Sequence, residues 1–348
     1  MKHIPARVII FSTSVGAAGN CHVSASTPVE ARTDVAEFRT ASGVRGLSIA
    51  LRRRPPLRAR DGSAPILFVH GATFPSALAA DFPFGGRSWM ERLACRGHDS
   101  WALDFLGYGK SDRYPEMVAA DATGAPLGDS KDAAVQISSA VALIERITHA
   151  PRTCVIAHSW GCIPAAGFVA ANPQMVERFV MFAPVVTRAG PHERSPEQRF
   201  WDVSADYQRR RFAGLVPAGV HPLIDPADLE PWLQSYVASD PTSALRVPPS
   251  ARVPYGPTAD IGRVWNGVNL FDPAQIRVPT LIVYGEWDVT TTTEDALLLY
   301  RALTHAPERQ LTLLDRGTHV MHLELARTRL YAVVETFLER KRRQTHEA

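Results

Sequence analysis

The chain is poor in cysteine, with only four in 348 residues, at positions 21, 95, 154 and 162. No CxxC pair and no zinc-finger spacing joins them. That excludes a disulfide framework and leaves buried free thiols as the expectation. Net charge is also small: 38 Lys and Arg against 35 Asp and Glu give a formal +3, which supplies no reason to expect nucleic acid as a partner. The basic triplets Arg52–Arg54, Arg209–Arg211 and Lys341–Arg343 read as solvated faces or favourable helix C-termini. Long apolar runs are missing as well. No segment has the ~18 consecutive apolar residues that span a bilayer, so no stable membrane insertion is expected. Metal-ligand clusters, phosphate-binding loops and dinucleotide fingerprints are not visible, and the glycines at 107 and 109 make only a partial G-x-G. No cofactor is expected. Against these absences stand 45% apolar and 21% charged residues, proportions that suit a sizeable core rather than a disordered chain.

At the N-terminus, Lys2 and Arg7 flank an apolar stretch, Val8 to Phe11, and small residues follow through Gly19. Ser12, Thr13 and Ser14 break the stretch, and Asn20 is a poor neighbour for a lipidated Cys21. Residues 1–43 are therefore expected to be a leader and lead-in, with a cytoplasmic protein as the first reading. A secreted or periplasmic protein is the alternative, should residues 1–25 act as a signal peptide.

From about residue 44 onward, strand-like and helix-like segments alternate, the pattern of a mostly parallel sheet flanked by helices, an α/β fold. Leu47 to Arg53 alternates, whereas Ile66 to Val69 and Thr153 to Ala157 are continuous apolar runs expected of strands buried on both faces. Ser100 to Phe105, Arg178 to Phe182, Thr280 to Tyr284 and Gln310 to Leu314 complete the strand signals. Helices are predicted over 87–96, 131–148, 159–171, 293–304 and about 322–341. Between 186 and 275 the short β-runs stop; prolines, arginine clusters and scattered aromatics take their place. This stretch is expected to be a helical cap on a core made of residues 44–185 and 276–342, with 343–348 as a tail.

The most informative segment is Val155-Ile156-Ala157-His158-Ser159-Trp160-Gly161. A buried strand runs into a serine with small residues two before and two after it, and a helix follows. A serine there sits on a strained turn that lifts its hydroxyl above the sheet edge; the small neighbours let strand and helix backbones pass closely. An ordinary helix N-cap serine is the plain alternative. Two further groups weigh against that alternative. Asp288 follows the run 280–284, and His319 in Gly317-Thr318-His319 follows the last strand, with Glu324 five residues beyond. Ser, Asp and His in this order, each at a strand's carboxyl end, converge along one rim of a parallel sheet. His322 and Glu286 are the rival base and acid. Upstream, His70-Gly71-Ala72-Thr73 forms a tight turn after a strand. The expected oxyanion donors are the backbone N–H groups of Ala72, with Thr73 as alternative, and of Trp160. His70 is read as shaping the turn, and Asp104 as tying down the glycine loop that runs to Ser111.

Together the HG-x turn, the D-x-x-G-x-G-x-S loop, the S-x-G elbow, the late aspartate and the G-x-H-x-x-x-x-E block resemble the α/β-hydrolase fold superfamily over residues 44–341. The loop at 104–111 and His158-Ser159-Trp160-Gly161 are also similar to haloalkane dehalogenases and epoxide hydrolases, which place an aspartate where this chain has Ser159. A serine cannot form their alkyl ester, so the departure directs the expectation to acyl transfer onto water. The resemblance implies a triad of Ser159, Asp288 and His319 acting on a small-molecule ester or lactone. His158, Trp201 and Trp232 are the candidate substrate contacts. A prolyl-iminopeptidase-like activity would use acidic residues of the cap, for which Glu197, Asp202 and Asp206 are available. Carbon–carbon bond hydrolysis and a ligand sensor with a vestigial triad are the other readings.

Overall fold

A computed structural model describes residues 7–11, 34–119, 121–188 and 197–340. The expectations for Cys21, for the leader between 12 and 33 and for the tail beyond 340 lie outside the described residues. The strands are β1 (Arg7–Phe11), β2 (Ala36–Ala41), β3 (Ser48–Arg54), β4 (Ile66–Val69), β5 (Ser100–Asp104), β6 (Thr153–His158), β7 (Val176–Phe182), β8 (Phe200–Ser204), β9 (Ser250–Pro254), β10 (Thr280–Gly285) and β11 (Arg309–Leu314). The helices are α1 (Ser76–Ala79), α2 (Trp89–Cys95), α3 (Ser130–Thr148), α4 (Cys162–Ala171), α5 (Ala205–Ala213), α6 (Pro226–Ala238), α7 (Gly256–Trp265), α8 (Thr293–Ala302) and α9 (Arg327–Leu338).

Nine strands form one sheet in the order β1-β11-β10-β7-β6-β4-β5-β3-β2. Only β3 runs against its neighbours; every other strand is aligned with the rest. The physical reason is legible in composition. Every residue of β4, β5, β6 and β10 is buried, so these strands must be covered on both faces, which parallel strands linked by helices achieve. On one face Trp89, Met90 and Leu93 of α2 pack with Leu330, Val334 and Phe337 of α9. The other face holds the larger core, to which α3 contributes Ile137, Val141 and Ile144. Helix α3 starts cleanly because Asp129 caps it through the N–H groups of Lys131 and Asp132. Among the described residues no helix is long and apolar enough to cross a membrane.

Three expectations need correction. β2 lies inside the stretch read as leader and lead-in, paired antiparallel with β3; its alternately half-buried and exposed residues carry little apolar signal. The stretch 186–275 is not purely helical. β8 and β9 form an antiparallel pair in which Asp202 on one strand meets Arg252 on the other, ahead of and between α5, α6 and α7. Cys95 is exposed rather than buried, while Cys154 and Cys162 are buried.

Candidate active site

The carboxyl ends of β6, β10 and β11 and the turn after β4 meet at one point. Strand β6 ends at His158, and Ser159 takes φ 56° before the chain turns into α4. That left-handed conformation costs a residue with a side chain of order 1–3 kcal/mol. It swings the Ser159 side chain out of the strand-helix line toward the histidine loop. The crowding that makes this turn tight is visible at Gly161. A Cβ there would lie 2.3 Å from the His70 carbonyl oxygen, so no side chain fits at this position. Gly71 is similarly confined, its missing Cβ facing the Ser159 Cβ at 3.2 Å. The turn after β4 is thereby pressed against the serine.

Ser159 Oγ lies 2.8 Å from His319 Nε2. On the other side of the ring, Nδ1 sits 3.1 Å from both oxygens of Asp288. All three side chains are buried. Asp288 Oδ1 also accepts the N–H groups of Thr290 (2.8 Å) and Thr291 (2.9 Å), and Thr291 Oγ1 donates to the Pro184 carbonyl at 2.7 Å. The carboxylate is therefore fixed by the turn of its own loop. With the acceptor Asp288 at Nδ1, the ring proton belongs there and Nε2 is free to accept from the serine hydroxyl.

The rivals are placed elsewhere. His322 is buried between Phe74, His158 and Phe182, and neither ring nitrogen has a hydrogen-bond partner. Burial, then His319 and Arg211, push it down to about 3, so it is a neutral ring near neutral pH. Glu286 turns away to accept the Arg316 N–H at 2.9 Å. His70 donates from Nδ1 to the Gly71 carbonyl and accepts the Phe105 N–H at Nε2, which leaves it no free nitrogen. Asp104 holds the amides of Ser76 and Lys110. A Cβ at Gly109 would fall 2.1 Å from its Oδ2. Glu324 is pushed up to about 7 by burial and binds Thr318 through both its N–H and its hydroxyl, holding the residue before His319.

Two peptide planes of the turn after β4 are pinned from outside. His70 holds the Gly71 carbonyl, and the Tyr108 hydroxyl donates to the Ala72 carbonyl at 2.6 Å. Because a trans peptide sets N–H opposite C=O, these bonds also fix the directions of the Ala72 and Thr73 N–H groups. Neither of those N–H groups donates to a protein acceptor among the described residues. Tyr108 was not singled out in the sequence, although it stands inside the glycine loop that was.

Of the expected substrate contacts, His158 is committed elsewhere: Nε2 donates to the His319 carbonyl at 2.9 Å, and the ring stacks on Phe182. It braces the histidine loop. Trp232 is fully buried, donates to the Leu78 carbonyl and meets Phe74 edge to face at 5.2 Å, one ring removed from His158 and His322. Trp201 packs on Tyr207 instead and is not brought to the triad by any contact. Of the acidic residues offered for an amine, two are held by arginines. Asp202 is paired with Arg252 and Arg246, Asp206 with Arg209 and Arg210, and Glu197 is exposed.

Two residues of consequence were missed. Asp260 on α7 accepts the Ser130 N–H (2.7 Å) and the Trp160 indole N–H (3.1 Å), tying the start of α3 to the residue after Ser159. Arg211 was read with its neighbours as solvated, yet it turns inward and donates to Thr73 Oγ1 at 3.2 Å. Among the described residues no group of three or more His, Cys, Asp or Glu side chains is arranged to hold a metal ion.

A profile of the alpha/beta hydrolase family matches residues 66–333, spanning the elbow, the aspartate loop and the histidine loop. The chain belongs to the alpha/beta hydrolase family. Solved structures agree on the fold. The serine hydrolase of carbazole degradation, CarC, superposes with a TM-score of 0.58 at 17% identity, covering 88% of this chain and 99% of that one. The enol-lactonase from Burkholderia xenovorans LB400 gives 0.53 at 16%, covering 87% and 100%. The thioesterase domain of the curacin biosynthetic pathway gives 0.52 at 18%, covering 87% and 99%. No curated protein sequence matches the chain. The resemblance and the mostly parallel, helix-flanked sheet expected from the sequence are both borne out.

Proposed function

We propose that this hydrolase cleaves a carboxylic ester or lactone through an acyl-enzyme on Ser159. The observation that carries the reading is the continuous chain from Ser159 Oγ through His319 to Asp288, with the serine held at positive φ. A serine hydroxyl is a weak nucleophile near neutral pH and needs a base close at hand. His319 Nε2 takes the Ser159 proton as Oγ bonds to the carbonyl carbon. Asp288 keeps the ring in the required tautomer and stabilises its charged form. The carbonyl oxygen becomes an oxyanion, and the N–H groups of Ala72 (or Thr73) and Trp160 receive it. The leaving alkoxide departs with the proton from His319. Water then gives a proton to the same ring, attacks the acyl carbon and releases the acid and free Ser159. In this reading residues 186–275 act as the cap that selects the substrate.

An aspartate at this position would open an alkyl halide or epoxide; a serine supports acyl chemistry. The amine-binding alternative has less support, because Asp202 and Asp206 are paired with arginines and only the exposed Glu197 is left to it. The test is multiple turnover on short-chain aryl esters, lactones, amides and aminoacyl-arylamides, with Ser159→Ala beside the wild type. Turnover of esters or lactones that vanishes in Ser159→Ala is expected. Turnover of aminoacyl-arylamides alone, or none with any acyl substrate, would overturn the reading.

A further inference from the structure

Helix α5 carries three consecutive arginines, Arg209 to Arg211, that behave differently. Arg209 pairs with Glu230 at 2.8 Å and Arg210 with Asp206 at 2.5 Å, both on the outer surface. Arg211 points the other way. Its Nη1 donates to Thr73 Oγ1 (3.2 Å) and to Gln208 Oε1 (3.4 Å), and no carboxylate among the described residues lies within ion-pairing distance. The charge is felt at the triad's floor. Burial lowers His158 and His322 first, and Arg211 adds to that lowering; burial likewise lowers Arg211, against which Tyr207, Tyr236 and Asp288 raise it.

Two more polar groups stand beside it. Gln208 and Tyr236 are fully buried; neither the Gln208 Nε2 amide nor the Tyr236 hydroxyl makes a well-formed hydrogen bond, although burial raises Tyr236 and the neighbouring Gln208 amide lowers it. Gln208, Arg211 and Phe212 lie three and four residues apart and so share one face of α5. A half-buried guanidinium with no carboxylate partner among the described residues, beside two buried donors that lack a well-formed hydrogen bond, is a costly arrangement. It is also complementary to a planar anion: a guanidinium fork, an amide N–H and a phenol O–H. Thr73, in the turn pressed against Ser159, joins this cluster to the reacting serine.

We propose that Arg211, Gln208 and Tyr236 form an anion subsite that binds a carboxylate on the acyl part of the substrate, so that the preferred substrates are monoesters of dicarboxylic acids or lactones bearing a free carboxylate. The proposal rests on the acyl-hydrolase reading and names the substrate class of that same site. It implies that a neutral ester of equal length is a poor substrate, because its end group leaves the cation and both donors unsatisfied.

The test compares mono-4-nitrophenyl esters of the C5 to C8 dicarboxylic acids with neutral 4-nitrophenyl esters of the same lengths. In the wild type one anionic length is expected to be preferred in kcat/KM by about 100-fold, the scale of a buried charge pair made or broken. Arg211→Met is expected to remove that preference, and Arg211→Lys to keep part of it. Tyr236→Phe, which keeps the ring that packs on Trp232, is expected to reduce the preference about tenfold, on the scale of one hydrogen bond to a charged group. It serves should Arg211→Met not fold. A wild-type ratio near one, or a ratio that neither Arg211→Met nor Tyr236→Phe changes, would overturn the subsite. Calorimetric titration of Ser159→Ala with each of the C5 to C8 monoesters separates the two ideas. Arg211-dependent binding without any wild-type hydrolysis sinks the hydrolase reading and leaves the anion subsite standing. Hydrolysis without anion preference does the reverse.

Discussion

Replacing Asp288 by asparagine tests how the acid is held. Its Oδ1 accepts two backbone N–H groups, from Thr290 and Thr291, at 2.8 and 2.9 Å. An asparagine must place its oxygen on that side, since turning the amide the other way sets its NH2 against two donors. Its NH2 then faces His319 Nδ1, 3.1 Å away, and donates to it. The ring proton moves to Nε2, where it blocks acceptance of the Ser159 proton. The expected loss is about 10⁴-fold in kcat, equivalent to about 5.4 kcal/mol of transition-state stabilisation. Stability should change little, because both loop hydrogen bonds persist. Asp288→Ala, by contrast, strips both amides of their acceptor and should lower stability by roughly 2–6 kcal/mol, at about 1–3 per unsatisfied group. The assay is stopped-flow acylation with a short-chain 4-nitrophenyl ester, beside urea unfolding of each variant. An asparagine variant within tenfold of wild-type kcat would refute the reasoning.

Glu286→Gln should retain activity within about twofold, an expectation for a surface change away from special features, since its carboxylate serves the Arg316 amide and not the ring; a loss above 100-fold would make it the acid. Asp260→Ala leaves the Ser130 and Trp160 donors unsatisfied and should cost roughly 2–4 kcal/mol in urea unfolding, with kcat falling more than KM rises if the Trp160 N–H is the oxyanion donor we propose. An unchanged unfolding midpoint would contradict that role. Glu324, raised to about 7, holds a proton in the folded chain that the unfolded chain has released above its ordinary 4.5. Its contribution is thus full below about pH 4.5 and is lost as pH rises through 7, a slope totalling about 3 kcal/mol. Glu324→Gln should lack that slope, so the difference between variant and wild-type stability curves measured from pH 4 to 8 should show it, and parallel curves would contradict the assignment.

The central strands were legible because burial on both faces demands continuous apolar runs, as in Ile66–Val69 and Thr280–Tyr284. β2 was not, since an edge strand exposing Glu37 and Arg39 while half-burying Phe38 and Thr40 has little apolar content to reveal it. β8 and β9 were hidden for a related reason: their pairing rests on Phe200, Val203, Ala251 and Val253 among prolines and charges. At the site, the grouping of Ser159, Asp288 and His319 was readable from residue type and chain order, because each follows its own strand. Arg211 was not. In a helix, successive residues turn by about 100°, so three consecutive arginines cannot all face water, and the buried Gln208 and Phe212 on the same face were the available signal. Asp260 gave no signal, because its partners Ser130 and Trp160 are 130 and 100 residues away in the chain.

The central claim is that Ser159 is the acyl-accepting nucleophile, activated through His319. Intact-mass spectrometry after treatment with a fluorophosphonate tests it most directly. The account predicts one adduct on the wild type, mapped by peptide sequencing to Ser159, none on Ser159→Ala, and labelling slowed at least 10³-fold in His319→Ala, within the range reported for loss of a triad member. An adduct on another residue, or hydrolysis undiminished in Ser159→Ala, would contradict it.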